Sequence, residues 1–334
     1  MLARVTRIDE NGPSGTDHWR LLALPPLPKE VLESLFGDPR LEVLVPAERT
    51  QSAVDALLPE IDLVVGDWTH TLRVDDPGPR VAMVQMPSVG FDTIDVDRCA
   101  AAGVPVANCA GANTASVAEW CVSATLALLR KTVEADAAVR RGEWPQTSLG
   151  GRELGACTVG IIGMGAIGRA VATILGGFGS TVQYWSRRRH DEAAATYVEL
   201  DELMATSDVI VVVIALSEET RGLVDARRLA LTKPGAVLVN GGRGGLVDEP
   251  ALVEALRTGT LTAAALDVYA TEPLPAGSPL RELPVLLSPH MAGSSGEAVM
   301  RIIGQTTANL RRALDGEPLV DVVNDVAPVV RRRA

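Results

Sequence analysis

The run VIVVVI at residues 209–214 holds six consecutive apolar residues, every one of them β-branched. Neighbouring side chains of a strand point to opposite faces, so this run is buried only where both faces are covered. A parallel strand between helix layers meets that demand. The rest of the chain agrees, since short β-branched runs alternate with Ala-rich helical patterns as βαβ units require. LEVLVP at 41–46, IDLVVG at 61–66, VAMVQM at 81–86 and VPVAN at 104–108 are expected to form a first α/β unit. CTVGIIG at 157–163, TVQYWS at 181–186, SDVIVVVIAL at 207–216, AVLVNGG at 236–242, AAALDVY at 263–269 and PVLLSPH at 284–290 are expected to form a second, larger one.

Between the two units, Thr114 to Gly142 lacks Pro and internal Gly and predicts one long helix at a domain junction, with Thr114 and Ser116 as candidate caps. A last amphipathic helix brings Val299, Ile302, Ile303, Leu310 and Leu314 to one side and ends at Gly316. The RRRA segment at 331–334 is expected to be disordered. With 334 residues, 47% of them hydrophobic, the chain exceeds what one core usually serves.

Its 42 acidic and 31 basic side chains give a net charge of −11, which sets the surface against nucleic acid and anionic lipid and favours a small-molecule partner. Cys99, Cys109, Cys121 and Cys157 include no CxxC pair, and His18, His70, His190 and His290 are scattered, so neither a metal site nor a disulfide scaffold is expected. MLARVTRIDENGPSG lacks the apolar run of a signal peptide, and no segment offers the ~18 uninterrupted apolar residues of a membrane span. A reduced, cytoplasmic protein is the expectation.

Gly163, Gly165 and Gly168 have the G-x-G-x-x-G spacing, directly after a strand pattern and at the start of a helical one. In that context one glycine makes the turn, the next admits a pyrophosphate, and the third lets helix and strand pack closely. The amides of Ala166, Ile167 and Gly168 at the helix start would face the dinucleotide. Folds of this kind place an acidic residue ~20 positions on, to accept from the adenosine ribose. Here Ser186 takes that place, followed by Arg187, Arg188 and Arg189. An aspartate would repel a 2′-phosphate, whereas a small hydroxyl with arginines holds one, so Ser186, Arg187 and Arg188 favour NADP(H), with NAD(H) as the alternative. A solvated basic loop is the plainer reading of the same residues.

Three later segments supply Arg243 (LVNGGRGGLVDE), Asp267 and Glu272 (LDVYATEPLP), and His290 (LLSPHMAGSS). An arginine fork matches a substrate carboxylate and polarises an adjacent carbonyl. A histidine beside a carboxylate is suited to passing a proton to oxygen as hydride reaches carbon. Each residue alone has a structural alternative; the set, placed behind a dinucleotide loop, favours catalysis.

With PSVGFDTIDV and GVPVANCAGANTASVAE, these blocks resemble the D-isomer-specific 2-hydroxyacid dehydrogenases, in particular the glyoxylate/hydroxypyruvate reductase-like branch, from about Val43 onward. The resemblance implies an α/β fold of two Rossmann-like doubly wound parallel-sheet domains, the cofactor domain (110–289) inserted in a discontinuous flavodoxin-like substrate domain (1–109 and 290–334). It implies Arg243 binding the 2-oxo acid, His290 as acid/base, Glu272 as its partner, and Asp267 facing the nicotinamide carboxamide. Leu216, Thr220 and Gly293 complete the cofactor set, and Ser88, Val89 and Gly90 form the loop that receives the substrate carboxylate together with Arg243 and His290. Homodimers with the helix after GANTASVAE in the contact, and hinges near Cys109–Ala112 and Ser288–Met291, are also implied.

Trp68, Thr69 and Met86 line a side-chain pocket or else belong to core and loop. Ala215 stands where the family commonly has proline, and WRLLALPPLPKE follows no pattern of the family. Retention of Glu272 beside His290 argues against a formate dehydrogenase, and too few residues follow Asn324 for the regulatory domain of long phosphoglycerate dehydrogenases. A nucleotide-sensing corepressor on the same fold is the alternative from a different class; the glycine spacing and the Arg/Glu/His set disfavour a methyltransferase.

Overall fold

The computed structural model describes residues 18–69, 71–190 and 194–333. The chain crosses between two compact units after Ala112 and again after Ala298. The first unit contains β1 (Trp19–Ala23), α1 (Lys29–Phe36), β2 (Leu41–Leu44), α2 (Gln51–Leu57), β3 (Leu63–Val65), β4 (Met83–Gln85), α3 (Val96–Ala101) and β5 (Val106–Ala107). Its sheet is parallel throughout in the order β2-β1-β3-β4-β5, the flavodoxin-like order that the family resemblance implies. β1 lies in the stretch that matched no pattern. Its leucines favour helix in isolation, and Pro25 and Pro26 follow at once. Pairing with β2 and β3 makes it a strand and buries Leu21 and Leu22 completely.

The second unit starts with α4 (Thr114–Arg130) and α5 (Thr132–Arg140), continues through β6 (Thr158–Ile162), α6 (Ala166–Gly177), β7 (Thr181–Trp185), β8 (Thr196–Tyr197), α7 (Leu200–Thr206) and β9 (Val209–Val212), and ends with α8 (Ala226–Leu229), β10 (Val237–Asn240), α9 (Glu249–Arg257), β11 (Ala263–Leu266) and β12 (Val285–Leu287). Its parallel sheet runs β12-β11-β10-β9-β6-β7-β8. The strand order reverses between β6 and β9, which is where open α/β sheets bind ligands. Val209, Ile210, Val211 and Val212 are each at most 1% exposed, split between two hydrophobic clusters on opposite faces of the sheet. At about 1.5–3 kcal/mol per buried side chain, β9 anchors the unit.

The single junction helix is broken. Lys131 adopts a left-handed φ of 51° between α4 and α5, and its Nζ donates to the Leu149 carbonyl at 2.7 Å. Neither candidate cap serves the start of α4; Ser116 Oγ instead donates to the Ala292 carbonyl at 2.6 Å. Hydrogen bonds of Met291 and Ala292 to Asp267 fasten the loop after β12 to the second unit.

α10 (Gly296–Asp315) supplies Leu310 and Ala313 to the core around Leu21 and Leu63, whereas Val299, expected on the buried side, is exposed. The tail is ordered through residue 333. Arg332 donates to the His18 carbonyl (2.6 Å) and to the buried Asp62 (3.2 Å), and Arg333 donates to the Ala102 and Gly103 carbonyls. Ala334 lies outside the described residues.

Asp208, just before β9, ties the strand starts together, accepting from the Thr158 amide, Arg152 and Lys233 at 2.8 Å each. Burial pushes its carboxyl up, but Lys233, Arg152 and the amide outweigh this and hold it at about 2. The folded value is below the unfolded one, so the stabilisation is complete above about pH 4 and is lost as pH falls through about 2. Urea denaturation of Asp208→Asn at pH 7 is expected to show a loss of roughly 2 kcal/mol, shrinking toward zero as pH falls to about 2.

Candidate functional site

Every expected cofactor or catalytic residue of the second unit follows the C-terminal end of a parallel strand: the glycine loop after β6, Ser186 after β7, Leu216 and Thr220 after β9, Arg243 after β10, Asp267 and Glu272 after β11, His290 and Gly293 after β12. At the glycine loop, Gly163 has φ 109°, and a Cβ there would lie 2.6 Å from the Ile214 amide nitrogen. A Cβ on Gly168 would run into the Gly163 carbonyl oxygen. The turn and the helix packing therefore require these two glycines themselves.

Gly165 differs. A Cβ there would meet nothing within 4 Å, at an exposed position capping α6. The first helical hydrogen bond runs from Arg169 to Gly165, so the amides of Ala166, Ile167 and Gly168 precede the helical ladder. Open space above a glycine at the start of a 12-residue helix fits a pyrophosphate backed by orphan amides.

His290 Nδ1 lies 2.7 Å from Glu272 Oε2, and Glu272 Oε1 accepts from the Tyr269 amide at 3.0 Å. Burial pushes the Glu272 carboxyl up, but the hydrogen bonds from His290 and Tyr269, with the nearby Arg243 charge, bring it below its ordinary value. Both side chains are about one-third exposed, open enough to meet a ligand. His290 takes the left-handed φ of 51°, a conformation that costs a non-glycine residue about 1 kcal/mol. Its amide donates to the Asp267 and Ser288 carbonyls, at 2.9 and 3.1 Å, which holds that conformation.

Asp267 has a role that spacing alone does not reveal. Its carboxylate, 1% exposed, accepts from Ser288 Oγ (2.6 Å), the Met291 amide (2.8 Å) and the Ala292 amide (2.8 Å), bracing the histidine loop from both sides. Tyr269 adds a second brace, its hydroxyl donating to the Ser288 carbonyl at 2.8 Å. Asn240 does the same for the arginine turn, donating to the Arg243 carbonyl (3.1 Å) and accepting from the Gly242 amide (3.1 Å). Tyr269 and Asn240 stand inside the quoted blocks, yet no residue spacing marks them as braces.

Ser186 is buried and its hydroxyl donates to the Arg188 carbonyl, so it shapes the arginine loop from within. Arg187 and Arg188 are exposed; Arg187 Nη1 meets Glu219 Oε2 at 3.3 Å, and Arg189 lies over the Tyr197 ring at 5.7 Å. Thr220 is likewise buried, its hydroxyl donating to the Ala215 carbonyl and accepting from the Ser217 amide. Leu216 leans over Gly245, and a Cβ on Gly293 would lie 2.6 Å from Asn113 Nδ2.

Ser88, Val89 and Gly90 belong to the first unit. There the Ser88 carbonyl accepts from the Cys109 amide, the Val89 carbonyl from Asn108 Nδ2 and the Gly90 carbonyl from Ser88 Oγ. Met86 is fully buried core, Thr69 donates to Asp67, and Trp68 is half-buried. Among the described residues no group of three or more His, Cys, Asp or Glu is placed to hold a metal ion, and no helix is long and apolar enough to cross a membrane.

Residues 122–292 match the family model described as D-isomer specific 2-hydroxyacid dehydrogenase, NAD binding domain. The chain is 40% identical over 276 residues to D-3-phosphoglycerate dehydrogenase of Mycobacterium leprae (strain TN), covering 80% of this chain and 52% of that protein. It thus spans about half the length of the phosphoglycerate dehydrogenases it matches. It is 40% identical over 313 residues to glyoxylate reductase of Aeropyrum pernix, covering 89% and 90% of the two chains. The crystal structure of a glyoxylate reductase from Paecilomyes thermophila superposes with a TM-score of 0.82 at 29% identity, covering 92% of this chain and 99% of that one. Taken with the Rossmann sheet and the His290–Glu272 pair, these matches show that the chain belongs to the D-isomer specific 2-hydroxyacid dehydrogenase family.

Proposed function

We propose that the protein is a reductase of small 2-oxo acids to D-2-hydroxy acids that prefers NADPH and also accepts NADH, of the kind named in its glyoxylate reductase relatives. The observation that carries the reading is the His290–Glu272 contact of 2.7 Å at the same strand ends as the glycine loop. The amides of Ala166, Ile167 and Gly168 would hold the pyrophosphate, and Arg187 and Arg188 would hold the 2′-phosphate. When bound, the nicotinamide supplies the hydride. Everything else falls to the chain.

Arg243 binds the carboxylate of the 2-oxo acid and draws charge from the neighbouring carbonyl. Glu272 occupies His290 Nδ1, so Nε2 carries the proton to the oxygen that becomes the hydroxyl. Asp267 holds the loop that aims the ring. Four buried cysteines, none in a disulfide, support a cytoplasmic setting. Val133, Val139 and Trp144 on and after α5 are 53%, 52% and 79% exposed, which supports burial of this segment in a homodimer.

Spectrophotometric turnover with glyoxylate, hydroxypyruvate, pyruvate and phenylpyruvate tests the reading. His290→Ala is expected to lower kcat by about 10²–10⁴-fold, and Glu272→Gln by about ten- to hundredfold. Turnover indifferent to His290 would remove the mechanism. Because Glu272 titrates below the ordinary carboxylate value of 4.5, any loss of rate from its protonation is expected to have its midpoint below that value in a pH–rate profile.

Cofactor preference is read from NADPH and NADH titrations. Arg187→Ala is expected to weaken NADPH by about tenfold or more and leave NADH within about twofold.

For the dimer, sedimentation velocity of Val139→Glu combined with Trp144→Ala should show half the wild-type mass. Equal masses for the two would reject this segment as the contact.

A further inference from the structure

Arg187 reaches Glu219 across the sheet end, from the loop after β7 to the loop after β9. The two atoms are 3.3 Å apart, with the side chains 51% and 76% exposed, and such a pair is weak and easily exchanged. The backbone under Glu219 is not free to leave. Thr220 locks the turn, its hydroxyl donating to the Ala215 carbonyl at 2.8 Å and accepting from the Ser217 amide at 2.7 Å, while its amide donates to the Ser217 carbonyl at 3.1 Å. A carboxylate is thus stationed beside the cation that would bind a 2′-phosphate.

A phosphate monoester carries nearly two negative charges and several strong acceptors, so on arrival it takes Arg187 from Glu219. Glu219, anchored by its turn, stays near enough to repel it. A ribose hydroxyl is neutral and leaves the pair in place. From this geometry we infer that Glu219 is a specificity-determining residue that opposes the 2′-phosphate and so limits the margin by which NADPH is preferred over NADH. The inference rests on the reading of Arg187 and Arg188 as the phosphate site.

Calorimetric titration of the full chain with NADPH and with NADH, no 2-oxo acid present, tests it without recourse to turnover. Glu219→Gln preserves shape and removes the charge at a position too exposed to affect folding. At about 0.05 M salt its Kd for NADPH is expected to fall by roughly three- to tenfold, with Kd for NADH changing by less than about twofold. The gain should fade at about 1 M salt, where the Debye length is roughly 3 Å. An NADPH affinity that is unchanged or weaker in Glu219→Gln overturns the proposal. Arg187→Ala separates the two ideas. If it weakens NADPH while Glu219→Gln does not tighten it, the phosphate site stands and the role of Glu219 falls. If Arg187→Ala leaves NADPH affinity unchanged, the phosphate site falls and the inference with it.

Discussion

The candidate active site depends on one buried carboxylate. Asp267 leaves β11 and accepts from Ser288 Oγ and from the Met291 and Ala292 amides beyond β12, so it welds the ends of two neighbouring strands. Its own backbone carbonyl accepts from the His290 amide. Charge-assisted bonds to a group almost wholly removed from water are the strong kind, and removing their acceptor would leave buried donors unpaired. The left-handed backbone of His290 persists because these bonds over-determine it. Glu272 then acts on a ring whose position is already settled.

Around that weld the sheet acts as a jig. Parallel strands point all their C-terminal ends one way, so residues far apart in sequence gather at one edge. Gly163, Ser186, Arg243, Glu272 and His290 each sit within a few residues of a strand end. The loops are stiffened by the same device repeated: a short polar side chain bonded to nearby backbone, as in Ser186, Thr220 and Asn240. Ser186 and Thr220 brace their own loops through these bonds, while Arg187 and Arg188 lie exposed.

What the residues disclose in advance is what depends on local chemistry. The glycine spacing declares its turn because Gly163 and Gly168 answer to steric limits within a few residues, and the runs of Val and Ile declare buried strands because burial on two faces demands them. The histidine, glutamate and arginine stand out only as a set. The remainder hangs on distant partners. β1 becomes a strand through β2 and β3, and Asp267 becomes a brace through donors 21 to 25 residues away. The break at Lys131 carries no Gly or Pro to announce it, since its lysine is held by the carbonyl of Leu149. Arg332 finds Asp62 across 270 positions, which no tail composition could reveal.

That last contact bears on the order in which the molecule is made. The second unit is a single uninterrupted segment, complete once residue 298 has been synthesised. The first begins earlier in the chain yet still lacks Leu310 and Ala313 of its core and the Arg332 bond to Asp62. On a ribosome, β1 to β5 therefore emerge first and finish last, exposing a half-covered sheet until α10 arrives. During that interval the uncovered surface belongs to the segment made before the second unit, and the chain that covers it is made after.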